Sequence, residues 1–327
     1  MIYYNEVILA KNSGIVYRQS YGKKMLPAEL HLFLMQLLKV FNYESPLYYY
    51  NKSTIINYMY TIPQAFKEFI SPNCDRAAFI QAYLKAGGVD SAVMALEGKN
   101  HIYVRFPPQQ YNPMFRIKTV IAHYDRIGIG ANDNSAAVFC LMEWARGQAL
   151  RQAQAPQAPH NIRLIFTDGE ELGAGGITEQ GAFPLAQTFR KLGIINDDIY
   201  VFDCMGRGDV PILGAAKLAP NVPTRFLTAY SELEDRAKQL LKSVANRKWF
   251  TLPISYSDNA SFIANGIPAV VITMLPSSEV HQILESKLPD TWKFLHTPND
   301  NFDSLDPAAF EIFFKIINQL AKQKNLL

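Results

Sequence analysis

Along this chain, apolar runs repeatedly end in charge. HIYVRF (101–106), MFRIKTVIAHYD (114–125), NIRLIFTD (161–168), IYVFDCMG (199–206) and AVVITML (269–275) hold apolar residues on several consecutive positions. Consecutive rather than alternating burial suits strands covered on both faces. Helix-like stretches lie between them, from Asn134 to Leu150, Thr178 to Leu192, Ser231 to Ala245 and Pro307 to Lys324. Strands alternating with helices predict an α/β fold: a three-layer sandwich with a mostly parallel, mixed sheet and helices on both faces.

Residues 1–70 break that alternation. They carry the tyrosine-rich YESPLYYYNKSTIINYMY and the apolar LHLFLMQLLKVF (30–41), which His31, Gln36 and Lys39 interrupt. A bilayer span takes about 20 apolar residues, so 30–41 reads as a buried helix, with Pro27 near its first turn. Two parts follow: a mainly helical N-terminal extension, 1–70, packed on a body formed by 71–327. The tyrosines serve either that packing or an aromatic wall or subunit contact, which leaves a homo-oligomer open.

Composition narrows the class. The 327 residues are 49% hydrophobic and 19% charged, with a net charge of +3, as in soluble globular proteins. Both signs are spread along the chain, so neither nucleic acid nor an anionic membrane is an expected partner. Cys74, Cys140 and Cys204 have no spacing for a disulfide framework or a thiolate zinc site. Buried thiols and an N-terminus without the apolar core of a signal peptide point to the cytoplasm.

The chemistry sits at the ends of the apolar runs. TVIAHYD delivers His123 and Asp125, IGANDNSAA places Asp133 just before a helix, and IFTDGEEL supplies Glu170 and Glu171. VFDCMG adds Asp203 and KFLHTPND adds His296. Sites in open α/β sheets form at the carboxyl ends of strands. So many carboxylates in one place repel one another unless cations neutralise them. Two divalent metals would do so, and mixed imidazole and carboxylate ligands suit zinc. Each residue alone has a blander reading: HxD as a structural hydrogen bond, Asp133 as a helix N-cap, the Glu pair as solvated, Asp203 as a partner of Arg207. Their joint occurrence at successive strand ends favours the metals.

The ordered set HYD, GANDNSA, DGEELG, VFDCMG, SYSDNASFIANGIPAVVIT and LHTPND resembles the M28 family of zinc aminopeptidases, from about Ala82 to near the C-terminus. The resemblance implies that 71–327 is a zinc peptidase catalytic domain with two divalent metal ions, Zn2+, per chain. His123 and Asp203 would hold one metal, Glu171 and His296 the other, and Asp133 would bridge them. Glu170 would be the general base, and Asp125 would orient His123 from behind. A hydroxide shared by the metals would attack a peptide or small amide with a free N-terminus. The related M20 peptidases also use HxD and EE but insert a lid domain of about a hundred residues. Only 92 residues separate Asp203 from His296 here, and they already contain elements the core needs.

Some positions depart from that family. Ala137 and Asn259 stand where glycine and histidine are common, and Leu295 replaces a tyrosine that polarises the substrate carbonyl in some members. Asp258 is either a substrate or structural residue of the site or the N-cap of the helix SFIAN, and Asp168 reads as a turn residue. Two other functions remain in view: a glutaminyl cyclase-like acyltransferase, and a peptidase-like domain kept only for binding.

Overall fold

The two-sided burial expected of the apolar runs is present, and it alternates residue by residue. The computed structural model describes residues 60–154 and 158–327, together with two short strands near the N-terminus. Those strands, β1 (Val7–Ala10) and β2 (Val16–Gln19), pair antiparallel. The remaining strands are β3 (Asp90–Leu96), β4 (Lys99–Arg105), β5 (Lys118–His123), β6 (Ile162–Thr167), β7 (Asp198–Phe202), β8 (Val210–Gly214), β9 (Phe250–Leu252) and β10 (Ala269–Leu275). They form one mixed sheet in the order β3-β4-β6-β5-β7-β10-β8-β9. The centre, β6-β5-β7-β10, is parallel. Antiparallel pairs join β3 to β4, β4 to β6 and β10 to β8.

Successive residues of the central strands serve two cores, because side chains alternate across a strand. Val120, Ala122, Leu164, Phe166, Tyr200 and Phe202 pack with Phe139, Leu240 and Phe313. Those three come from helices Ala136–Gln154, Thr224–Ala245 and Pro307–Lys322. Ile121, Ile165, Ile199 and Val201 pack on the other face with Leu185, Phe189 and Phe262, from helices Ala182–Lys191 and Asn259–Ala264. The expected three-layer sandwich is thus present. Among the described residues, no helix is long and apolar enough to cross a membrane.

β3, β8 and β9 were not among the runs singled out. β3 is a half-exposed edge strand whose burial does not alternate cleanly. Its partner β4 follows through a two-residue turn, Glu97-Gly98, with φ of 46° and 79°, the primed geometry that matches strand twist.

The chain divides into two compact units, Met1–Ile55 and Ile56–Leu327. The body therefore begins ahead of residue 71. Phe66 on helix Gln64–Phe69 is fully buried, edge-on to both Phe139 and Phe310. The helix expected at 30–41 and most of the tyrosine-rich segment lie outside the described residues. What is described of the N-terminal unit is the β1–β2 pair rather than helix.

Candidate metal centre

Three parallel strands bring their carboxyl ends side by side, and the loops leaving them carry the charge. His123 is the last residue of β5, buried and paired in register with Thr167 of β6. Asp203 directly follows β7, and Glu170 and Glu171 follow β6 by three and four residues. His296 lies just beyond the short helix Asp290–Phe294, at φ 61°. Asp133 sits in the turn before helix Ala136–Gln154 and is joined to Asn134 by a cis peptide bond.

That turn is held from three sides. Asn132 Oδ1 accepts the Gly206 N–H at 2.8 Å. Asn134 Nδ2 donates to the Phe202 carbonyl at 2.8 Å, and its Oδ1 accepts from Cys204 N at 3.3 Å. The buried carboxylate of Asp300 accepts the N–H groups of Asn132 and Asp133 at 2.7 and 3.1 Å. Asp133 is therefore tied both to the strand end bearing Asp203 and to the loop bearing His296.

The five expected ligands come together as two groups that share Asp133: His123, Asp133 and Asp203, and Asp133, Glu171 and His296. Asp133 Oδ1 lies 3.2 Å from His123 Nε2 and its Oδ2 lies 3.3 Å from His296 Nε2. Asp203 Oδ1 is 3.6 Å from His123 Nε2, and Glu171 Oε2 is 2.8 Å from His296 Nε2. Within each group the ligand atoms lie within 4.8 Å of one another. In the first group the His123 side chain is 0% exposed and Asp203 half-buried, whereas in the second His296 is 47% exposed.

Electrostatics test whether a cation fits. Burial pushes Glu170 up to about 9 and Glu171 up to about 7, and the other carboxylates add to both shifts. Burial alone would raise Asp133, yet His123 and His296 hold it well below the usual range. Contact with Asp133, reinforced by Glu171, pushes His296 up to about 9. Burial also opposes a charge on His123, but Asp125, Asp133 and Asp203 hold its pKa well above the ordinary value. Two buried atoms, His123 Nε2 and Asp203 Oδ1, have no hydrogen-bond partner among the described residues. Orphaned donor atoms converging among crowded carboxylates, in an imidazole and carboxylate set, are what a divalent metal such as zinc takes.

The remaining predicted residues are placed as follows. Asp125 Oδ1 faces His123 Nδ1 at 3.6 Å, and that nitrogen lies 3.3 Å from the Asp125 carbonyl oxygen. The Asp125 carboxylate also accepts the N–H groups of Glu170 and Glu171 at 3.1 and 3.0 Å, a contact the sequence reading missed. Asp258 is fully buried at the N-terminus of helix Asn259–Ala264 but makes no side-chain capping bond. Its Oδ2 accepts the Thr167 hydroxyl, its Oδ1 has no hydrogen-bond partner among the described residues, and burial pushes its pKa up to about 7. Asp168 is more than a turn residue, since its carboxylate accepts Asn100 N at 2.9 Å and ties the loop to β4. Arg207 does not pair with Asp203; it reaches Thr291, the Ser304 carbonyl and Glu279. Asn132, Asn134, Gln180 and Asp300 went unrecognised, although Asp300 lies within the LHTPND segment.

Comparison with known proteins bears on the fold and the family. The fold is similar to the LapA aminopeptidase of Legionella pneumophila, at 16% identity over 98% of this chain and 93% of that chain, with a TM-score of 0.56. It is also similar to LapB of the same organism, at 16% identity over 79% and 69% of the two chains, TM-score 0.55. A glutaminyl cyclase of Porphyromonas gingivalis matches at 18% identity over 78% of this chain and 96% of that chain, TM-score 0.53. No curated protein matches in sequence. The model of peptidase family M28 matches residues 102–321, well over half of the sequence and the whole span that bears the clustered ligands, and the chain belongs to that family.

Proposed function

We propose that this protein is a di-zinc aminopeptidase that removes residues from peptides, or opens small amides, bearing a free N-terminus. The observation that carries the reading is the Asp133 carboxylate, which presents one oxygen to each of two histidine-containing groups. His123, Asp203 and Asp133 would hold one ion, and Glu171, His296 and Asp133 the other. Two such ions lower the pKa of water and polarise a scissile carbonyl.

The chain's own residues supply the rest. Glu170 is the general base: its carboxylate takes the proton of the attacking water and hands it to the departing amine. Asp125 fixes the backbone of Glu170 and Glu171, so the base and a ligand are set by one side chain. The open side at His296 admits substrate, and the acidic cluster attracts an unblocked ammonium group.

The test is metal analysis coupled to a screen of free-N-terminus peptides with and without chelator. The expected result is two zinc ions per chain and release of one residue at a time, abolished by chelator and restored by zinc. A metal-replete protein that hydrolyses none of them would sink the reading. The likeness to a glutaminyl cyclase supports a second reading, acyl transfer within an N-terminal glutaminyl residue. Both ligand groups being complete favours the hydrolase. Mass spectrometry of a glutaminyl peptide separates the two, since cyclisation loses ammonia while hydrolysis releases glutamine.

A further inference from the structure

The loop that leaves β6 with the glutamate pair returns to it. The Gly181 N–H donates to the Gly169 carbonyl at 2.9 Å, closing the loop and bringing Gln180 back beside Glu170. Gln180 is 1% exposed, and its Nε2 donates to Glu170 Oε1 at 3.0 Å. The other end of the amide is fixed as well: the fully buried Ser261 Oγ, on helix Asn259–Ala264, donates to Gln180 Oε1 at 2.8 Å. Gly173 provides the room, because a Cβ there would fall 2.9 Å from Gln180 Cγ and 3.0 Å from its Nε2.

We infer that Gln180, locked by Ser261, is a positioning residue that sets the orientation of the Glu170 carboxylate. The inference rests on the reading of Glu170 as the base. The chemistry of the amide gives the pair one sense only. To take a proton Glu170 must be ionised, and an ionised carboxylate accepts hydrogen bonds and cannot donate them, so the amide turns its NH2 to Glu170 and its carbonyl to the serine hydroxyl. One carboxylate oxygen is thereby engaged, while Glu170 Oε2 makes no hydrogen bond among the described residues and is left for the proton of the water. Side-chain rotation that would misdirect that oxygen is blocked by a partner whose own rotamer is fixed by packing and a second hydrogen bond. Among the described residues, neither the Gln180 nor the Ser261 side chain bonds a member of either metal group, so Gln180 acts on the base and not through a metal ligand.

Gln180→Met tests it, because it keeps the length of the side chain and removes the donor. In the zinc-loaded enzyme acting on an amino-acid p-nitroanilide, kcat falls about 10- to 100-fold, while KM, zinc content and thermal midpoint stay as in wild type. Ser261→Ala, which frees the amide without removing it, lowers kcat by a smaller factor. In a Glu170→Ala background Gln180→Met has no further effect, since the group it orients is gone. A single variant with wild-type kcat, or one that loses as much in the Glu170→Ala background as alone, overturns the inference. A readout independent of turnover separates this inference from the proposed function. In a crystal structure of Gln180→Met the Glu170 carboxylate is displaced or disordered relative to wild type, whatever the enzyme's activity; an unmoved Glu170 overturns the positioning role, whereas an inert wild type with an ordered Glu170 overturns only the aminopeptidase reading.

Discussion

Asp125 and Glu171 are joined by a hydrogen bond of 3.0 Å from the Glu171 backbone N–H to the Asp125 carboxylate. The same carboxylate takes the Glu170 N–H and faces His123 Nδ1, so one side chain governs three residues of the site. Asp125→Ala leaves two N–H groups without an acceptor and the imidazole without its carboxylate. Zinc affinity, measured by titration against a competing chelator, is expected to fall about 10- to 100-fold.

Glu170 and Asp133 should fail in different ways. On the proposed reading Glu170→Gln keeps the shape of the base and removes its basicity, so hydrolysis is expected to drop about 10²- to 10⁴-fold with zinc content unchanged. Asp133→Ala removes the oxygen presented to each histidine, and elemental analysis should find less metal per chain. Full stoichiometry in that variant would contradict a shared ligand.

Gly181 has no room for a side chain: a Cβ there would meet the Asp168 carbonyl oxygen at 1.8 Å. Since Gly181 also donates to Gly169, Gly181→Ala must push the returning loop away from β6. The expected cost is about 1–3 kcal/mol, read as a lower denaturation midpoint with an unchanged denaturant slope.

Acid should destabilise the fold through buried imidazoles that belong to neither ligand group. His160 is packed edge-on against Phe106 and Trp144, and its Nδ1 accepts the Ile162 N–H at 3.0 Å. Burial pushes its pKa down to about 3, with Lys118 adding to the shift. The unfolded chain protonates this imidazole near pH 6.5, so between there and pH 3 it binds more protons than the folded one. Stability is therefore fully present above about pH 6.5 and falls as pH drops, by up to about 1.4 kcal/mol per pH unit. His101, pushed down by burial to about 4, adds a second contribution. Denaturation of His160→Phe across this range should show a shallower acid slope, with the His101 share retained.

Local pattern was enough for the centre of the fold. Consecutive apolar residues such as Val120, Ile121 and Ala122 announced burial on both faces, and β10 spans the very residues expected. The edge was harder, because β3 is half-exposed and carries little periodic signal. At the candidate site, His123, Glu170, Glu171 and Asp203 were legible because charge at or just beyond the end of a buried strand is costly without a purpose, whereas Asp133 and His296 lie beside helices and stood out only as part of the ordered set of motifs. Their supports were not. Asp300 reaches Asp133 across 167 positions, Asn134 reaches Phe202 across 68, and Ser261 reaches Gln180 across 81. Local reading left Asp258 between a residue of the site and a helix cap and read Asp168 as a turn residue, whereas each bonds a distant residue.

The sequence by itself thus determined the layered α/β architecture and the inventory of chemical groups, since both follow from side-chain polarity at short range. Only the tertiary structure decided which oxygen faces which imidazole, that one imidazole is buried and the other exposed, and which amides hold the acids in place. Those depend on hydrogen bonds between residues brought together by strand order, and strand order is set by the packing of the whole sheet.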